Sequence, residues 1–123
     1  MSEGDMSITG HGKLQGTLCY MSPEQIRRDP KISHSTDIYS LGSVLYEVLT
    51  GRTPFYADKS YEIIDMVQNQ EPPRPTAISK LAVPGILEQL CMNCLSKHPD
   101  DRPISMDELI RVLQQDWAAE LVK

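Results

Sequence analysis

The chain has 123 residues, of which 40% are hydrophobic, which is enough for one globular domain with its own core. Its formal net charge of -5 argues against a nucleic-acid backbone as the main partner, because proteins that bind one usually gather Lys and Arg on one face. No stretch approaches the roughly 18 uncharged apolar residues of a membrane span, and the N-terminus lacks a signal-peptide pattern. We therefore expect a chain without a membrane segment that resides in the cytoplasm.

The first sixteen residues hold four of the seven glycines and show neither helical nor strand periodicity, which predicts a loop. The spacing of Gly10 and Gly12 invites comparison with the G-x-G-x-x-G phosphate loop. That motif requires a third glycine where Gln15 stands, and no strand pattern precedes it here. The segment is therefore not expected to bind phosphate.

The next segment carries the start signals of a short helix. Ser22 is a suitable cap, Pro23 suits the first turn, and Gln25 can return a bond to the cap backbone. We expect this helix to end near Pro30.

A longer helix is predicted from Thr36 to Thr50, with Gly51 as a left-handed stop. Its apolar residues point in nearly every direction, so it needs apolar cover all round. They are Ile38, Tyr39, Leu41, Val44, Leu45, Tyr46, Val48 and Leu49.

The C-terminal half contains three further helical patterns. A weak amphipathic pattern at 60–69 predicts an exposed helix before the run EPPRP at 71–75, whose interior cannot be regular structure. Apolar spacing over 86–95 predicts a helix packed on one face. Ser105-x-x-Glu108 is a capping box that opens a last helix, whose apolar stripe continues to Trp117. Because no segment shows period-two alternation, the expected fold class is all-α, with about five helices in an irregular array.

Cys19, Cys91 and Cys94 form an odd and sparse set that does not suggest a disulfide framework, so reduced thiols are expected. Cys91, Cys94 and the nearby His98 can be read as three zinc ligands. No fourth ligand follows at finger-like spacing, and both cysteines fall at core positions of a helix. We therefore expect small buried side chains here and no metal site.

Three sequence blocks carry a resemblance to a known family. GTLCYMSPEQ at 16–25 resembles the end of an activation segment with its A-P-E motif, with Ser22 in place of alanine. DIYSLGSVLYEVLTGRTPF at 37–55 resembles the central helix of a kinase C-lobe, and CLSKHPDDRP at 94–103 resembles the turn before its last helix. Together, and in this order, the blocks are similar to the lower C-terminal lobe of Hanks-type (eukaryotic-type) protein kinases.

The chain has the dipeptide Gly16-Thr17 and lacks a tryptophan before Met21. In both features it resembles the Ser/Thr branch of this family rather than the tyrosine branch. The resemblance implies that Thr17 contacts the catalytic aspartate and lysine. It also implies that Tyr20 and Met21 bind the substrate residue after the phosphoacceptor. From the residues alone, a locally satisfied loop threonine and two plain core contacts stay open as alternatives.

Three charged residues have structural roles by the same resemblance. Asp37 matches an aspartate that accepts backbone N–H bonds from the catalytic loop, although helix capping explains a carboxylate there equally well. Glu24 and Arg102 match a buried ion pair that joins the activation segment to the lower lobe, and the planar fork of arginine suits a bidentate contact. Two exposed charges are the alternative.

The motifs for phosphoryl transfer do not occur in the 123 residues. A kinase needs a Gly-rich loop, a strand-borne lysine, the H-R-D-x-x-x-x-N loop and D-F-G, which together hold ATP and magnesium and supply the base. We therefore expect no catalytic residue and no cofactor site in this chain, and no activity of the chain alone. An intact parent would use ATP and Mg²⁺ to phosphorylate Ser or Thr of a protein substrate.

Residues 1–15 are expected to be a flexible remnant of an activation loop, and residues 16–123 a partial kinase domain, because Met1 falls inside the resembling loop. This favours a fragment of a Ser/Thr kinase. Ser7 and Thr9 lie in that loop and are candidate phosphosites, with solvated linker hydroxyls as the alternative.

The second hypothesis is a non-catalytic helical interaction module derived from a kinase, which binds partners through the helix at 60–69 and the EPPRP loop. In kinases, the catalytic loop and the helix before it cover part of the central helix. One flank of the helix at 36–50 should therefore be exposed here, with two or three of Ile38, Leu41, Leu45 and Val48 losing their burial, and the chain should tend to self-associate through it.

Overall fold

The computed structural model describes residues 17–114, which are built of α-helices and one 3-10 helix and contain no β-strand. The all-α expectation is confirmed for this range. None of its helices is long and apolar enough to cross a membrane. The helices are α1 (Pro23–Ile26), α2 (His34–Thr50), α3 (Ser60–Asn69), α4 (Pro75–Ile78), α5 (Gly85–Cys94) and α6 (Met106–Leu113), with the 3-10 helix at Pro99–Asp101.

Helix α1 begins with the predicted capping box. Ser22 Oγ accepts a hydrogen bond from Gln25 N (3.2 Å), and Gln25 Oε1 accepts one from Ser22 N (2.9 Å). The helix is a single turn that ends at Ile26 rather than near Pro30. It ends early because Arg28 adopts a left-handed conformation with φ 56°.

Helix α2 is the central element and contacts α4, α5 and the 3-10 helix. It begins at His34 rather than Thr36, because Ser33 Oγ accepts a hydrogen bond from Ser35 N (3.2 Å) and caps the first turn. Gly51 ends the helix in the predicted left-handed conformation, with φ 83°.

One side of α2 is not covered. Leu41, Val44 and Val48 are 41%, 48% and 75% exposed, and we call these three residues the α2 flank. They line an apolar groove of about 190 Å³, to which Leu113 of α6 also contributes. Ile38, on another side of the helix, is fully buried. The rest of the described fold therefore buries the apolar side chains of α2 on only part of the helix surface.

Helices α2 and α5 approach each other closely at Gly42, a position without a sequence signal of its own. A β-carbon on Gly42 would lie 2.5 Å from Cβ of Cys94, and Cys91 Sγ donates to the Gly42 carbonyl at 3.5 Å. Cys91 and Cys94 are fully buried, and burial raises the pKa of each thiol to about 12. Both cysteines thus serve as small core side chains in the contact between these helices.

We expect Gly42→Ala to destabilise the fold by about 1–3 kcal/mol, because the added methyl overlaps an atom that cannot rotate away. The preference of helices for alanine, about 1 kcal/mol, opposes this cost but does not cancel the overlap. Thermal unfolding followed by circular dichroism measures the difference. In a Cys94→Gly background, which lacks the clashing Cβ, the same change should cost less; an equal cost would contradict the proposed clash.

Helix α3 has the predicted bounds and buries Ile63 and Val67 on its apolar side. The run EPPRP is irregular until Pro75, where the single turn of α4 begins. The Tyr46 hydroxyl donates a hydrogen bond to the Pro73 carbonyl (2.7 Å), which attaches this run to α2.

Helix α6 is capped by Ser105, whose Oγ accepts a hydrogen bond from Glu108 N (3.1 Å). The predicted return bond from Glu108 is displaced by one residue, because its carboxylate accepts from Ile104 N (3.1 Å). Trp117, which was predicted to continue the apolar stripe, lies outside the described residues, as does the predicted loop at 1–15.

Candidate functional site

Glu24 on α1 and Arg102 after the 3-10 helix form a bidentate ion pair. Nη1 of Arg102 lies 2.6 Å from Oε2 of Glu24, and Nη2 lies 2.8 Å from Oε1. The arginine side chain is 0% exposed and the glutamate side chain 5%. Thr36 Oγ1 donates a third hydrogen bond to Glu24 Oε2 at 2.8 Å. The pair therefore joins α1 to α2 and to the end of the 3-10 helix.

Arg102 makes further contacts for which its sequence surroundings give no signal. Nε donates to the Ser96 carbonyl (2.9 Å), Nη1 to the Ser35 carbonyl (3.0 Å) and Nη2 to the Lys97 carbonyl (3.3 Å). The guanidinium carbon also lies 5.0 Å from the centroid of the Tyr39 ring. One side chain thus connects α1, α2 and the loop after α5.

Two opposing effects act on the pKa of Glu24. Burial raises it, whereas hydrogen bonds from Arg102 and Thr36 lower it, and the resulting pKa is about 2. The carboxylate is therefore ionised at neutral pH, in the form that pairs with arginine.

Residues 17–21, which we call the 17–21 segment, precede α1 and lie against α2. Ser40 Oγ donates to the Tyr20 carbonyl at 3.0 Å, and the Tyr20 hydroxyl donates a hydrogen bond to the Glu47 carboxylate. This bond is the main cause of the raised pKa of Tyr20. Sequence reasoning missed Ser40 and Glu47. Their spacing of seven places both on one side of α2, but other polar residues of this helix leave them without a distinguishing sequence signal.

The other residues of the 17–21 segment differ in exposure. Leu18 and Cys19 are buried, Met21 is half-buried against the core, and Thr17 is exposed. Cys19 Sγ donates a hydrogen bond to the Phe55 carbonyl at 3.3 Å, beyond the end of α2. The segment is therefore attached to both α2 and the turn that follows it.

Asp37 is exposed in the first turn of α2, where the helix dipole favours a negative charge. Ser7 and Thr9 lie outside the described residues. The structure thus brings Glu24 and Arg102 together, and it does not join Asp37 to them.

The described range 17–114 contains no group of three or more His, Cys, Asp or Glu side chains arranged to hold a metal ion. His98 is exposed, whereas Cys91 and Cys94 are in the core. The three residues that resembled zinc ligands are therefore in different environments.

Comparison with known proteins gives the family. A profile of the protein kinase domain matches residues 5–118. The chain belongs to the protein kinase family. It is 41% identical over 105 residues to serine/threonine-protein kinase A of Synechocystis sp., covering 81% of this chain and 19% of that kinase. It is 37% identical over 109 residues to serine/threonine-protein kinase pkn3 of Myxococcus xanthus, covering 88% of this chain and 20% of that kinase.

A third similar kinase is serine/threonine-protein kinase PknL of Mycobacterium tuberculosis, 38% identical over 96 residues, with 78% of this chain and 24% of that kinase covered. The chain therefore spans about a fifth to a quarter of the length of these kinases. The resemblance to a Ser/Thr kinase is confirmed, and α2 is the long helix that the second resembling block predicted.

In this kinase chain, we expect Glu47→Gln to lower the pKa of Tyr20, because a neutral amide no longer holds the phenolic proton. Ultraviolet titration measures this pKa. Because the chain has five tyrosines, the titration curve of the matching Tyr20→Phe variant is subtracted from that of the parent and from that of Glu47→Gln. Tyr20→Phe itself should lower the free energy of unfolding by about 1.5–3 kcal/mol, because the half-buried Glu47 carboxylate loses its hydrogen bond. A phenol titration that Glu47→Gln leaves unchanged would show that the contact is not made.

Proposed function

We propose that this chain is the substrate-binding part of a Ser/Thr kinase C-lobe. The intact protein transfers the γ-phosphoryl group of ATP to Ser or Thr side chains of protein substrates. The observation that carries the proposal is how the 17–21 segment is held. Tyr20 attaches the segment to α2, and the buried Glu24–Arg102 pair fixes α1, which follows directly after it. A surface that positions a substrate must be held rigidly before the substrate arrives. The names of the three similar proteins support the same reaction.

The proposal also assigns roles to the residues predicted from the family resemblance. Tyr20 and Met21 bind the substrate residue after the phosphoacceptor, and Thr17 contacts the catalytic aspartate and lysine of the intact kinase. Asp37 accepts N–H bonds from its catalytic loop. The exposure of Thr17 and Asp37 is compatible with both contacts. ATP and Mg²⁺ are the cofactors of the intact kinase, bound by motifs that these 123 residues do not contain.

The test compares this chain with a longer protein in which an N-terminal part of a kinase domain, carrying the Gly-rich loop and the H-R-D and D-F-G motifs, is joined to it. The 123-residue chain should show no calorimetric binding of Mg-ATP tighter than about 1 mM, roughly 4 kcal/mol. The longer protein should transfer labelled phosphate to a generic protein substrate, and Thr17→Val should reduce turnover while leaving ATP binding intact. A longer protein that folds and binds ATP but transfers no phosphate would reject the proposal.

Ser7 and Thr9 are proposed phosphosites, because an added negative charge close in sequence to the 17–21 segment can create new charge-assisted hydrogen bonds. Peptide mass spectrometry of the active protein with both hydroxyls unmodified would reject this role.

We place the protein in the cytoplasm, because Cys19, Cys91 and Cys94 are buried free thiols that a reducing compartment preserves. Cell fractionation that recovers the protein only from an oxidising compartment would contradict this location.

The second candidate function is the helical interaction module. It is favoured by Tyr56 and Tyr61, which are 62% and 66% exposed beside the start of α3, since exposed aromatic residues are common in binding surfaces. Cooperative, monomeric unfolding of the 123-residue chain, without binding of a hydrophobic dye, would favour this candidate because it indicates a complete domain.

A further inference from the structure

Lys97 lies in the bend between α5 and the 3-10 helix and contacts two other parts of the fold. Its Nζ lies 4.5 Å from the centroid of the Phe55 ring and donates to the Met66 carbonyl of α3 at 3.4 Å. Its carbonyl accepts a hydrogen bond from Nη2 of Arg102 at 3.3 Å. The ammonium therefore contacts Phe55 and α3, while the backbone of Lys97 is bonded to Arg102.

Phe55 connects this contact to the 17–21 segment. The Phe55 carbonyl accepts hydrogen bonds from Cys19 Sγ (3.3 Å) and Thr53 Oγ1 (3.1 Å). Phe55 is 3% exposed, so its side chain has little room to move while the cation is in place. Phe55 therefore contacts Lys97 through its ring and Cys19 through its carbonyl.

We propose that Lys97 is a positioning residue for the protein substrate. Its charged ammonium fixes Phe55, and Phe55 fixes Cys19 and the 17–21 segment that receives the substrate. The inference rests on the proposed kinase function, and it adds a residue from the far end of the chain to those that set substrate affinity.

The charge of Lys97 depends on pH in a range where kinases are assayed. Burial lowers its pKa to about 8, while Glu71 raises it and Arg102 lowers it. Glu71 belongs to the proline-rich run, and Arg102 follows the 3-10 helix. These are the two charged groups that act on the Lys97 ammonium. An arginine at this position stays charged at every pH used. The Lys97→Arg variant therefore distinguishes the effect of losing the charge at position 97 from other effects of pH.

The kinetic test uses the longer kinase and its KM for a protein substrate at pH 7. Lys97→Met should raise this KM about three- to tenfold, with kcat and the KM for ATP unchanged, and Lys97→Arg should stay near the parent. The parent's KM divided by that of Lys97→Arg should increase between pH 7 and pH 9, because only the lysine loses its proton. A ratio that stays flat over this range would overturn the inference.

A second measurement in the same protein does not need kinase activity. Cys19 is 4% exposed, so its alkylation by iodoacetamide requires the 17–21 segment to open. Lys97→Met should speed alkylation of Cys19 about three- to tenfold, as resolved by peptide mass spectrometry. Lys97→Arg should stay near the parent, and Cys91 and Cys94 are internal controls that should not change.

The outcomes separate the two proposals. Equal acceleration of all three thiols indicates general loosening and overturns the role of Lys97, as does no acceleration at Cys19. Selective acceleration at Cys19 in a protein that transfers no phosphate supports the coupling from Lys97 to Cys19 and rejects the kinase function.

Discussion

Arg102→Met is expected to destabilise the kinase fold by about 3–5 kcal/mol or more, the typical cost of leaving one charge of a buried pair without its partner. The loss extends beyond Glu24, because the carbonyls of Ser35, Ser96 and Lys97 also lose a guanidinium donor. A cost of this size is a large part of the roughly 5–15 kcal/mol that stabilises an ordinary domain. Urea denaturation of the longer protein described under the proposed function, followed by circular dichroism, measures it.

A double-mutant cycle with Glu24→Gln tests whether the two side chains act together. The double variant should cost less than the sum of the single variants, because neither charge is then left alone. Coupling within about 0.3–0.5 kcal/mol of zero would show that the pair is not made. Arg74→Met is the control: its partner Glu88 lies 3.0 Å away, but the arginine is 56% exposed, so the cost should stay below about 1 kcal/mol.

The same pair predicts a loss of stability in acid. Because the folded-state pKa of Glu24 is lowered from 4.5 to about 2, its stabilising effect is fully present above the unfolded value. It is lost as the pH falls from 4.5 towards 2. The free energy of unfolding should therefore depend less on pH in this range in Glu24→Gln than in the parent.

The second large effect concerns the 123-residue chain by itself, which should be marginally stable and should self-associate through the α2 flank. Burying an aliphatic side chain stabilises a fold by about 1.5–3 kcal/mol, and the three residues of the flank realise only part of this. The deficit, on the order of 2–5 kcal/mol, is comparable with the lower end of ordinary domain stability. We expect helical far-ultraviolet dichroism with a weak near-ultraviolet signal, together with binding of a hydrophobic dye.

Substitutions on the α2 flank test this expectation. Leu41→Gln with Val48→Lys should reduce dye binding and shift the sedimentation profile towards the monomer. Leu81→Gln is the matched control, because Leu81 is 81% exposed but does not line the groove. Adding the N-terminal part of the kinase domain should suppress dye binding and association as well. A parent chain that is monomeric at all concentrations and binds no dye would contradict the prediction.

Helix positions were predictable from sequence because their signals act within one or two turns. The capping box at Ser22, the stop at Gly51 and the amphipathic pattern of α3 each involve neighbours in the chain. The end of α1 was not predicted, because the left-handed conformation of Arg28 has no strong residue preference behind it. The pairing of Glu24 with Arg102 came from family resemblance, since no local pattern relates residues 78 positions apart.

The sequence by itself thus determined the all-α class, the kinase resemblance and the approximate positions of five of the six α-helices in the described range, but not that of α4. Only the tertiary structure decided which side of α2 is buried and which polar residues hold the 17–21 segment. Glu47 meets Tyr20 across 27 positions, and Lys97 meets the Met66 carbonyl across 31. Such contacts depend on how α2, α3 and α5 pack together, and neither helical periodicity nor capping chemistry carries that information.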